Sequence, residues 1–341
     1  MTRLHIYAGT ITMALAACVA VDSAPFTSTT EQAGETMQGE TMQGETMQGE
    51  TMQGMTMQGM QLGGATLSGV SLSHVRVERG EVVAEQASTT LRGTALAGAH
   101  FIAQVQSTTG NPPATTTVEY RIAAIDPEDA KYDPTQTGNT YLYTLEQWVS
   151  DTASWQPACP ADSDGRRVAI PLAAVWDQHG DRSTSSTLFT FGCTTGVIAK
   201  CYRWGYRPWV TGYGDLTAMH WTCTRLARAD YCGNGVPHTH DGTLINVWDT
   251  LPPPGPIQGH GGPLPPDGMT FEAGWDTGGA VCLSRARWAL DKGGLLAALC
   301  PHRLVPPGLG QTVCDNASEA LGYDANAKMF NESKLNNNLL G

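Results

Sequence analysis

The chain has 341 residues and is acidic, with 20 lysines and arginines against 32 aspartates and glutamates and a formal net charge of −12 at pH 7. This balance argues against nucleic acid as a general partner and is typical of a soluble surface protein. Beyond the N-terminal segment, no apolar run in the sequence is long enough to cross a membrane.

The N-terminal segment predicts export. It reads MTRLHIYAGTITMALAAC, in which one arginine precedes an apolar stretch over about Ile6–Ala17. A stretch of this length and position is typical of a signal peptide and is too short to span a bilayer. We therefore predict that residues 1–17 are a signal peptide.

The end of that segment predicts a lipid anchor. Residues 15–18 read LAAC and match the bacterial lipobox, in which the cysteine after the cleavage site receives a diacylglycerol. Cys18 is the predicted lipidation site, and cleavage near Ala24 with loss of Cys18 is the alternative. Because Val19 follows the cysteine where aspartate would signal inner-membrane retention, the sequence favours the outer membrane or cell surface of a Gram-negative envelope.

A five-residue repeat follows a polar tether at residues 18–33. The unit GETMQ occurs four times over residues 34–53, altered copies continue to about residue 64, and an apolar residue returns at every fifth position as far as Val77. Five residues advance a helix by about 140° and change face along a strand, so neither element gathers these residues on one side. A pentapeptide β-solenoid would bury the glutamates of the first units. We predict a spacer at residues 34–104 that is disordered to about residue 64 and forms short β-structure thereafter.

A folded domain is predicted at residues 115–315. The polar segment STTGNPPATTT at residues 107–117 marks its boundary, and all nine tryptophans and every cysteine except Cys18 lie beyond it. About 200 residues suffice to bury a single core. Segments rich in β-branched and aromatic residues predict strands. These are Val118–Ile125, Tyr141–Trp148, Arg167–Val175, Leu188–Phe191 and Thr243–Trp248.

One helix signal is strong. Apolar residues recur at helical spacing over Leu216–Tyr231, Asp215 is suited to the N-cap, and a glycine after Cys232 is suited to stop the helix. Such a helix would carry Arg225 and Arg228 on its outer face.

Two weaker patterns complete the predicted fold. A second, less regular helix is predicted over about Ala280–Trp288, and the polar tail at residues 316–341 is predicted to fray. The sequence thus predicts an α+β fold, with a single disulfide-stabilised C-terminal domain after a low-complexity period-five repeat.

The cysteine count predicts disulfides. With Cys18 assigned to lipid, an even set remains, which is typical of a disulfide framework in an exported chain. These cysteines are Cys159, Cys193, Cys201, Cys223, Cys232, Cys282, Cys300 and Cys314. On one helix Cys223 and Cys232 would lie roughly 13 Å apart, beyond the reach of about 7 Å between bonded α-carbons, so we expect them to pair elsewhere unless the helix ends before Asp230. Structural zinc is the alternative, although no CxxC pair is present; no other cofactor is predicted.

The segment RADYCGNGVPHTHDG at residues 228–242 gathers reactive side chains. The candidates are Cys232, His220 and Asp230 for catalysis and His238, His240 and Asp241 for a metal. Cys232 as nucleophile, with His220 or His238 as base, would suit a thiol-dependent hydrolase. The His-x-His spacing would suit zinc. A hydrogen-bonding turn rich in glycine, asparagine and aspartate is the simpler interpretation, and we prefer it.

Cationic and aromatic residues concentrate at residues 200–228. The ligand-binding candidates there are Lys200, Arg203, Arg207, Trp209, Arg225 and Arg228. Aromatic and cationic surfaces bind sugars, carboxylates or phosphates by stacking and forked hydrogen bonds. The simpler interpretation, which we prefer, is that these cations extend over tryptophans of the core.

The sequence resembles the ADYC-domain family of exported, largely myxobacterial proteins. The resemblance rests on the tetrapeptide ADYC at residues 229–232 and covers about Thr187–Cys300. Supporting motifs are GC at 192–193, AKC at 199–201, GYRPW at 205–209, CTR at 223–225 and DGTLIN at 241–246. The family has no assigned activity, so the resemblance implies a shared domain and no catalytic residue.

These observations predict a lipid-anchored outer-membrane lipoprotein with a disulfide-rich binding or envelope-organising domain. Its expected partners are the membrane, through the anchor, and an envelope glycan or another surface protein, and not nucleic acid. An exported metal-dependent or thiol-dependent hydrolase is the alternative function.

Overall fold

Strands dominate the fold. The computed structural model describes residues 43–47, 60–106, 115–133, 140–177, 179–185, 188–239, 243–251, 257, 259, 269–287, 300, 303–304 and 313–334. The strands are β1 Gln43–Met47, β2 Met60–Leu67, β3 Val70–Ser71, β4 Ser73–Glu78, β5 Glu81–Gln86, β6 Thr89–Arg92, β7 His100–Gln106, β8 Thr115–Pro127, β9 Tyr141–Val149, β10 Ser154–Pro157, β11 Ala169–Leu172, β12 Val175–Trp176, β13 Arg182–Ser183, β14 Leu188–Cys193, β15 Thr243–Asp249, β16 Met269–Asp276, β17 Gly279–Leu283 and β18 Met329–Lys334. The α-helices are α1 Val197–Arg203, α2 Leu216–Arg228 and α3 Ala317–Tyr323, and short 3-10 helices span Gly93–Leu96 and Ala130–Tyr132.

The larger sheet has eight strands in the order β10-β9-β11-β14-β2-β7-β8, with β3 paired to β2. Because β8 also pairs with β9, six of its strands close into a ring. Alternate residues of each strand face inward, and Phe101, Tyr120, Tyr143 and Phe191 pack against one another there. On the outside, Leu142 and Ile170 pack under Ile198 of α1.

The smaller sheet has five strands in the order β1-β15-β18-β16-β17. Helix α2 packs on one face, against residues such as Val247, Trp275 and Met329. Helix α3 packs on the other face, where Ala320 meets Phe330. This arrangement corrects the prediction of a fraying tail, because β18 lies between β15 and β16. The tail is polar because β18 inserts Asn331, Glu332 and Ser333 into a hydrogen-bonded interior.

The predicted domain boundary at residues 107–117 is also corrected. Strand β7, on one side of it, pairs with β8, on the other, from His100↔Arg121 to Gln106↔Thr115. Strand β2 from the repeat belongs to the same sheet, and β4, β5 and β6 form a three-stranded sheet whose Val82 and Ala84 pack into the same core. The folded part therefore begins well before residue 115. Residues 1–42 and 48–59, which include the predicted signal peptide, Cys18 and most of the repeat, lie outside the described residues.

Of the predicted strands, four coincide with single strands, and Arg167–Val175 contains β11 and the start of β12. Helix α2 begins at the predicted N-cap, where the Asp215 carboxylate accepts hydrogen bonds from the backbone N–H groups of Thr217 and Ala218. It ends at Arg228 because Ala229 adopts a left-handed conformation with φ 52°.

The second predicted helix, over about Ala280–Trp288, is wrong. Residues Gly279–Leu283 form β17, which pairs with β16. All five residues of β17 are buried, and a short apolar run that is buried on both faces carries no period that separates a strand from a helix.

All eight cysteines that remain after Cys18 form disulfides, as predicted. The pairs are Cys159–Cys193, Cys201–Cys223, Cys232–Cys300 and Cys282–Cys314. Cys223 and Cys232 therefore bind different partners, as expected from their spacing. Cys223 connects the middle of α2 to α1, and Cys232 connects the turn after α2 to Cys300. Among the helices of the described residues, none is long and apolar enough to cross a membrane.

Candidate functional site

The ADYC tetrapeptide forms the turn that ends α2, and we call residues 229–233 the ADYC turn. Asp230 is fully buried and accepts hydrogen bonds from the backbone N–H groups of Asn234 and Gly235 at 3.0 and 2.9 Å. It also accepts one from the Arg225 guanidinium at 2.6 Å. Asp230 thus holds the chain after the helix in place, as the interpretation of this segment as a hydrogen-bonding turn predicts.

Tyr231 connects the turn to the smaller sheet. Its hydroxyl donates to Glu272 at 3.0 Å and accepts from the backbone N–H of Arg287 at 2.8 Å, and its ring stacks on Trp275. Burial and the neighbouring Glu272 carboxylate raise the pKa of Tyr231 far above its usual value. The phenol is therefore a fixed hydrogen-bond donor and not a proton carrier near neutral pH.

A buried ion pair lies beneath the turn. The Arg287 guanidinium contacts both oxygens of Glu272, at 2.9 and 3.0 Å, and neither side chain is exposed. Arg287 also donates to the backbone carbonyls of Leu226 and Ala227, which satisfies the end of α2. Burial alone would raise the pKa of Glu272, but the charge and hydrogen bonds of Arg287 outweigh it and lower that pKa.

The last two residues of the turn have structural roles as well. Cys232 is bonded to Cys300. Gly233 has φ +66°, and a Cβ on it would lie 1.7 Å from the carbonyl oxygen of Gly278. Only glycine allows the turn to approach the β16–β17 connection so closely.

The catalytic candidates are not assembled into a reactive site. Cys232 carries no free thiol, because its sulfur is in the disulfide. His220 is fully buried, with Nε2 2.9 Å from the carbonyl oxygen of Ile198, and burial, aided by the Arg182 charge, lowers its pKa to about 3. It lies eight residues before the end of α2, which is about 12 Å of helix rise from the ADYC turn. The Asp230 carboxylate accepts the hydrogen bonds that hold the turn.

Of the metal candidates, only His238 lies in the described part of the chain. Its backbone N–H donates to the carbonyl of Arg228, and its ring lies 5.7 Å from that of Tyr231. His240 and Asp241 are outside the described residues. Within the described ranges, no group of three or more histidines, cysteines, aspartates or glutamates could hold a metal ion.

The cationic residues at 200–228 do not form an exposed ligand surface, which corrects the prediction that Arg225 and Arg228 face outward. Four arginines are buried: Arg203, Arg207, Arg225 and Arg228. Arg203 binds Glu128 and Asp162, Arg207 binds Asp133, and Arg225 binds Asp181 and Asp230. Arg228 donates to the carbonyl of Gly235. Partners such as Glu128 lie far away in sequence, so the local composition could not reveal them.

The remaining two ligand-binding candidates of this segment, Lys200 and Trp209, lie against aromatic side chains of the same segment. The Lys200 ammonium lies 5.8 Å from the ring centre of Trp204. Trp209 packs on Tyr202, with ring centres 4.6 Å apart.

An exposed aromatic and cationic surface does exist, on the outside of the larger sheet. We call it the tryptophan face. It consists of His100 and Ile102 on β7, Glu119 and Arg121 on β8, Glu146 and Trp148 on β9, and Trp155 on β10. Their inward neighbours Phe101, Tyr120 and Leu145 are buried, so strand alternation turns this set outward.

Register brings these side chains side by side. Trp148 lies directly opposite Trp155, and Arg121 lies opposite both His100 and Glu146. The two indole rings meet edge to face at 5.5 Å, and the Arg121 guanidinium lies 4.6 Å from the centre of the Trp155 ring. Arg121 also pairs with Glu146.

The tryptophan face remains open to solvent. Trp148 is 40% exposed and Ile102 is 43% exposed. Large apolar side chains grouped on an open surface mark interaction sites more often than isolated ones do. Sequence reasoning missed this site, although the order Tyr120-Arg121-Ile122 carries the alternation that turns Arg121 outward.

The family comparison agrees with the motif. Residues 93–289 match the ADYC domain family. No curated protein and no solved structure matches the chain. The family match begins well before the predicted Thr187, and it includes both the tryptophan face and the ADYC turn. It covers more than half of the 341 residues, and the chain therefore belongs to the ADYC-domain family.

Proposed function

We propose that this protein is an exported lipoprotein that binds a glycan of the cell envelope through the tryptophan face, without cleaving it. Its lipid anchor would be Cys18, in the outer membrane of a Gram-negative cell. The observation that carries the proposal is the cross-strand pair of the exposed Trp148 and the half-buried Trp155, with the Arg121 guanidinium 4.6 Å from the centre of the Trp155 ring.

The chemistry of this surface fits a sugar polymer. A pyranose ring has apolar C–H faces and hydroxyl edges, so it stacks on an indole while its hydroxyls bond to charged groups. Trp148 offers an exposed ring, and Glu119 and His100 offer an acceptor and a ring nitrogen 3.3 Å apart on the neighbouring strands. An open sheet face also admits a long chain, which a closed pocket does not.

The rest of the molecule supports binding at a surface outside the cytoplasm. Four disulfides suit an oxidising compartment. The lipobox at residues 15–18 and the repeat after it would tether the folded part to the membrane at a distance. The reactive side chains of the ADYC turn are engaged in structural bonds, which favours binding as the activity.

The test is co-sedimentation of the full-length protein with purified peptidoglycan, with lipopolysaccharide binding as a second arm. We expect Trp148→Ala to weaken retention by about thirtyfold, as the loss of a tryptophan at the centre of an interface does. Tyr323→Ala is the matched control, since Tyr323 is an exposed aromatic residue on α3. Retention in neither arm, or equal retention of the wild type and Trp148→Ala, would exclude this function.

A further inference from the structure

A groove lies on the smaller sheet, between the face that α3 covers and the start of α3. It is an open groove of about 600 Å³, and we call it the α3 groove. Its lining includes Trp248, Phe271, Asp315, Asn316, Ser318 and Glu332. A volume of this size is typical of sites for small molecules.

Strand register builds the floor of the α3 groove. Trp248 of β15 lies opposite Phe330 of β18, and Phe271 of β16 lies opposite Glu332. The Trp248 ring is 6.1 Å from Phe271 and 5.9 Å from Phe330, centre to centre. The floor is therefore an aromatic surface with one carboxylate beside it.

The wall of the groove is held in place. The disulfide Cys282–Cys314 ties the residue before Asp315 to β17. Asn316 caps α3 by accepting from the backbone N–H of Glu319, and Asp315 accepts from the Ser284 hydroxyl at 2.9 Å. These bonds hold the Asp315 carboxylate in one orientation although the side chain is exposed.

The charge of the groove has one sign. Its charged lining residues, in the described part of the chain, are the carboxylates Asp315 and Glu332. Arg285 lies nearby, but its guanidinium donates to Thr270 and Ser333 across the sheet and does not belong to this lining. Among the described lining residues, no lysine or arginine opposes a cation in the α3 groove.

A buried acceptor lies beside Glu332. The Asn246 amide nitrogen donates to the Glu332 carboxylate at 3.2 Å, and Asn246 is only 2% exposed. Its amide oxygen has no hydrogen-bond donor among the described residues. A buried polar atom of this kind normally has a partner, and a ligand rich in N–H groups would supply one.

We propose that the α3 groove binds a small primary-amine ligand, with its ammonium group at Glu332 and Asp315 and its hydrocarbon part on Trp248 and Phe271. Carboxylates attract the ammonium group, and the aromatic rings pack against the hydrocarbon part. This site is separate from the tryptophan face, and it does not depend on the glycan-binding proposal.

The experiment is calorimetric titration of the full-length protein with the diamine cadaverine. The neutral probe pentanediol, of similar length, is titrated in parallel. We expect saturable binding of cadaverine, no binding of pentanediol, and weakening of cadaverine binding as salt is raised. Equal binding of the two probes, or no binding of cadaverine, overturns the proposal.

Variants locate the site. Asp315→Asn and Trp248→Ala are each expected to weaken cadaverine binding about tenfold or more, and Glu332→Gln is expected to have a larger effect. The matched control is Asp151→Asn, which removes a charge from the exposed turn between β9 and β10. If Asp315→Asn, an exposed substitution, leaves affinity unchanged, the ligand binds elsewhere and the proposal is wrong. Trp148→Ala is expected to bind cadaverine normally, so the two proposed sites can fail independently.

Discussion

The ADYC turn and the tryptophan face use the same types of side chain in opposite surroundings. At the turn, Arg287, Glu272 and Tyr231 are fully buried and bonded to one another. On the face, Arg121 contacts Trp155 and Glu146 while solvent reaches all three side chains. One set can only hold the fold together, whereas the other is available to a ligand.

A family motif and a proposed binding site therefore need not coincide. The residues that name the family end a helix, fix a loop and close a disulfide. A buried network of this kind tolerates little change, because any deletion leaves a partner unsatisfied in the interior. A partly exposed ion pair is screened by water and contributes little to stability.

Arg287→Ala should have the largest effect on stability. It leaves the Glu272 carboxylate buried without its cation and frees two carbonyls at the end of α2. Loss of one partner of a buried pair typically costs about 3–5 kcal/mol. Urea unfolding measures this change, and the double variant Arg287→Met with Glu272→Met should be less destabilised than Arg287→Ala. If the unfolding free energy of Arg287→Ala lies within about 1 kcal/mol of the wild-type value, which is the contribution of an exposed ion pair, this network does not hold the turn.

The sequence predicted part of this fold for clear physical reasons. Strands β8, β9, β14 and β15 were found because β-branched and aromatic residues concentrate in them, and α2 because its cap and apolar spacing agree. Strands β17 and β18 were not found. The first is buried on both faces and carries no period. The second is polar, and the residues that bond to its buried polar side chains, such as Asn246, lie far away in sequence.

Removal of the Cys232–Cys300 disulfide should destabilise the protein by about 2–5 kcal/mol. This bond closes a span of 68 residues, whereas Cys201–Cys223 closes 22. If disulfides stabilise by lowering the entropy of the unfolded chain, the bond that closes the longer loop contributes about 1 kcal/mol more to the unfolding free energy. Replacement of each pair by alanines, followed by unfolding in urea, compares the two. Glycan retention under native conditions should survive both changes, and its loss would show that the turn and the tryptophan face are coupled.

Acid should lower the unfolding free energy of the protein through His220. Burial lowers its pKa in the folded state to about 3, from an ordinary value of 6.5. The unfolded chain therefore binds a proton that the folded chain excludes, so stability is full above pH 6.5 and is lost as pH falls toward 3. The expected loss from this residue is about 2 kcal/mol at pH 5.

The matched variant for this prediction is His220→Gln, which keeps a donor near the carbonyl of Ile198. The difference in unfolding free energy between wild type and variant should change with pH between 7 and 4, because other titrating groups cancel in that difference. A constant difference would mean that His220 takes up a proton without cost in the folded state.

The sites were harder to predict than the strands. The concentration of arginine and tryptophan at residues 200–228 indicated a ligand surface, yet the arginines are matched there by acids from elsewhere, such as Glu128 and Asp133. The tryptophan face is assembled by the register of four strands, and register cannot be read from one strand alone. The alternation of residues in β8 is consistent with an outward-facing Arg121, but it does not indicate which rings lie next to that side chain.

Arg121→Ala should have the smallest effect on stability and a clear effect on binding. Its pair with Glu146 is partly exposed, so its removal should change the unfolding free energy by less than about 1 kcal/mol. The Trp155 ring would lose the guanidinium stacked on it, and peptidoglycan retention should fall while the urea midpoint stays nearly constant. Arg76→Ala, on the separate sheet of β4, β5 and β6, removes a similarly exposed pair and should leave both quantities unchanged. If Arg121→Ala instead destabilised the protein as strongly as Arg287→Ala, the exposed aromatic set would be a structural element like the ADYC turn, and the distinction between the two regions would be lost.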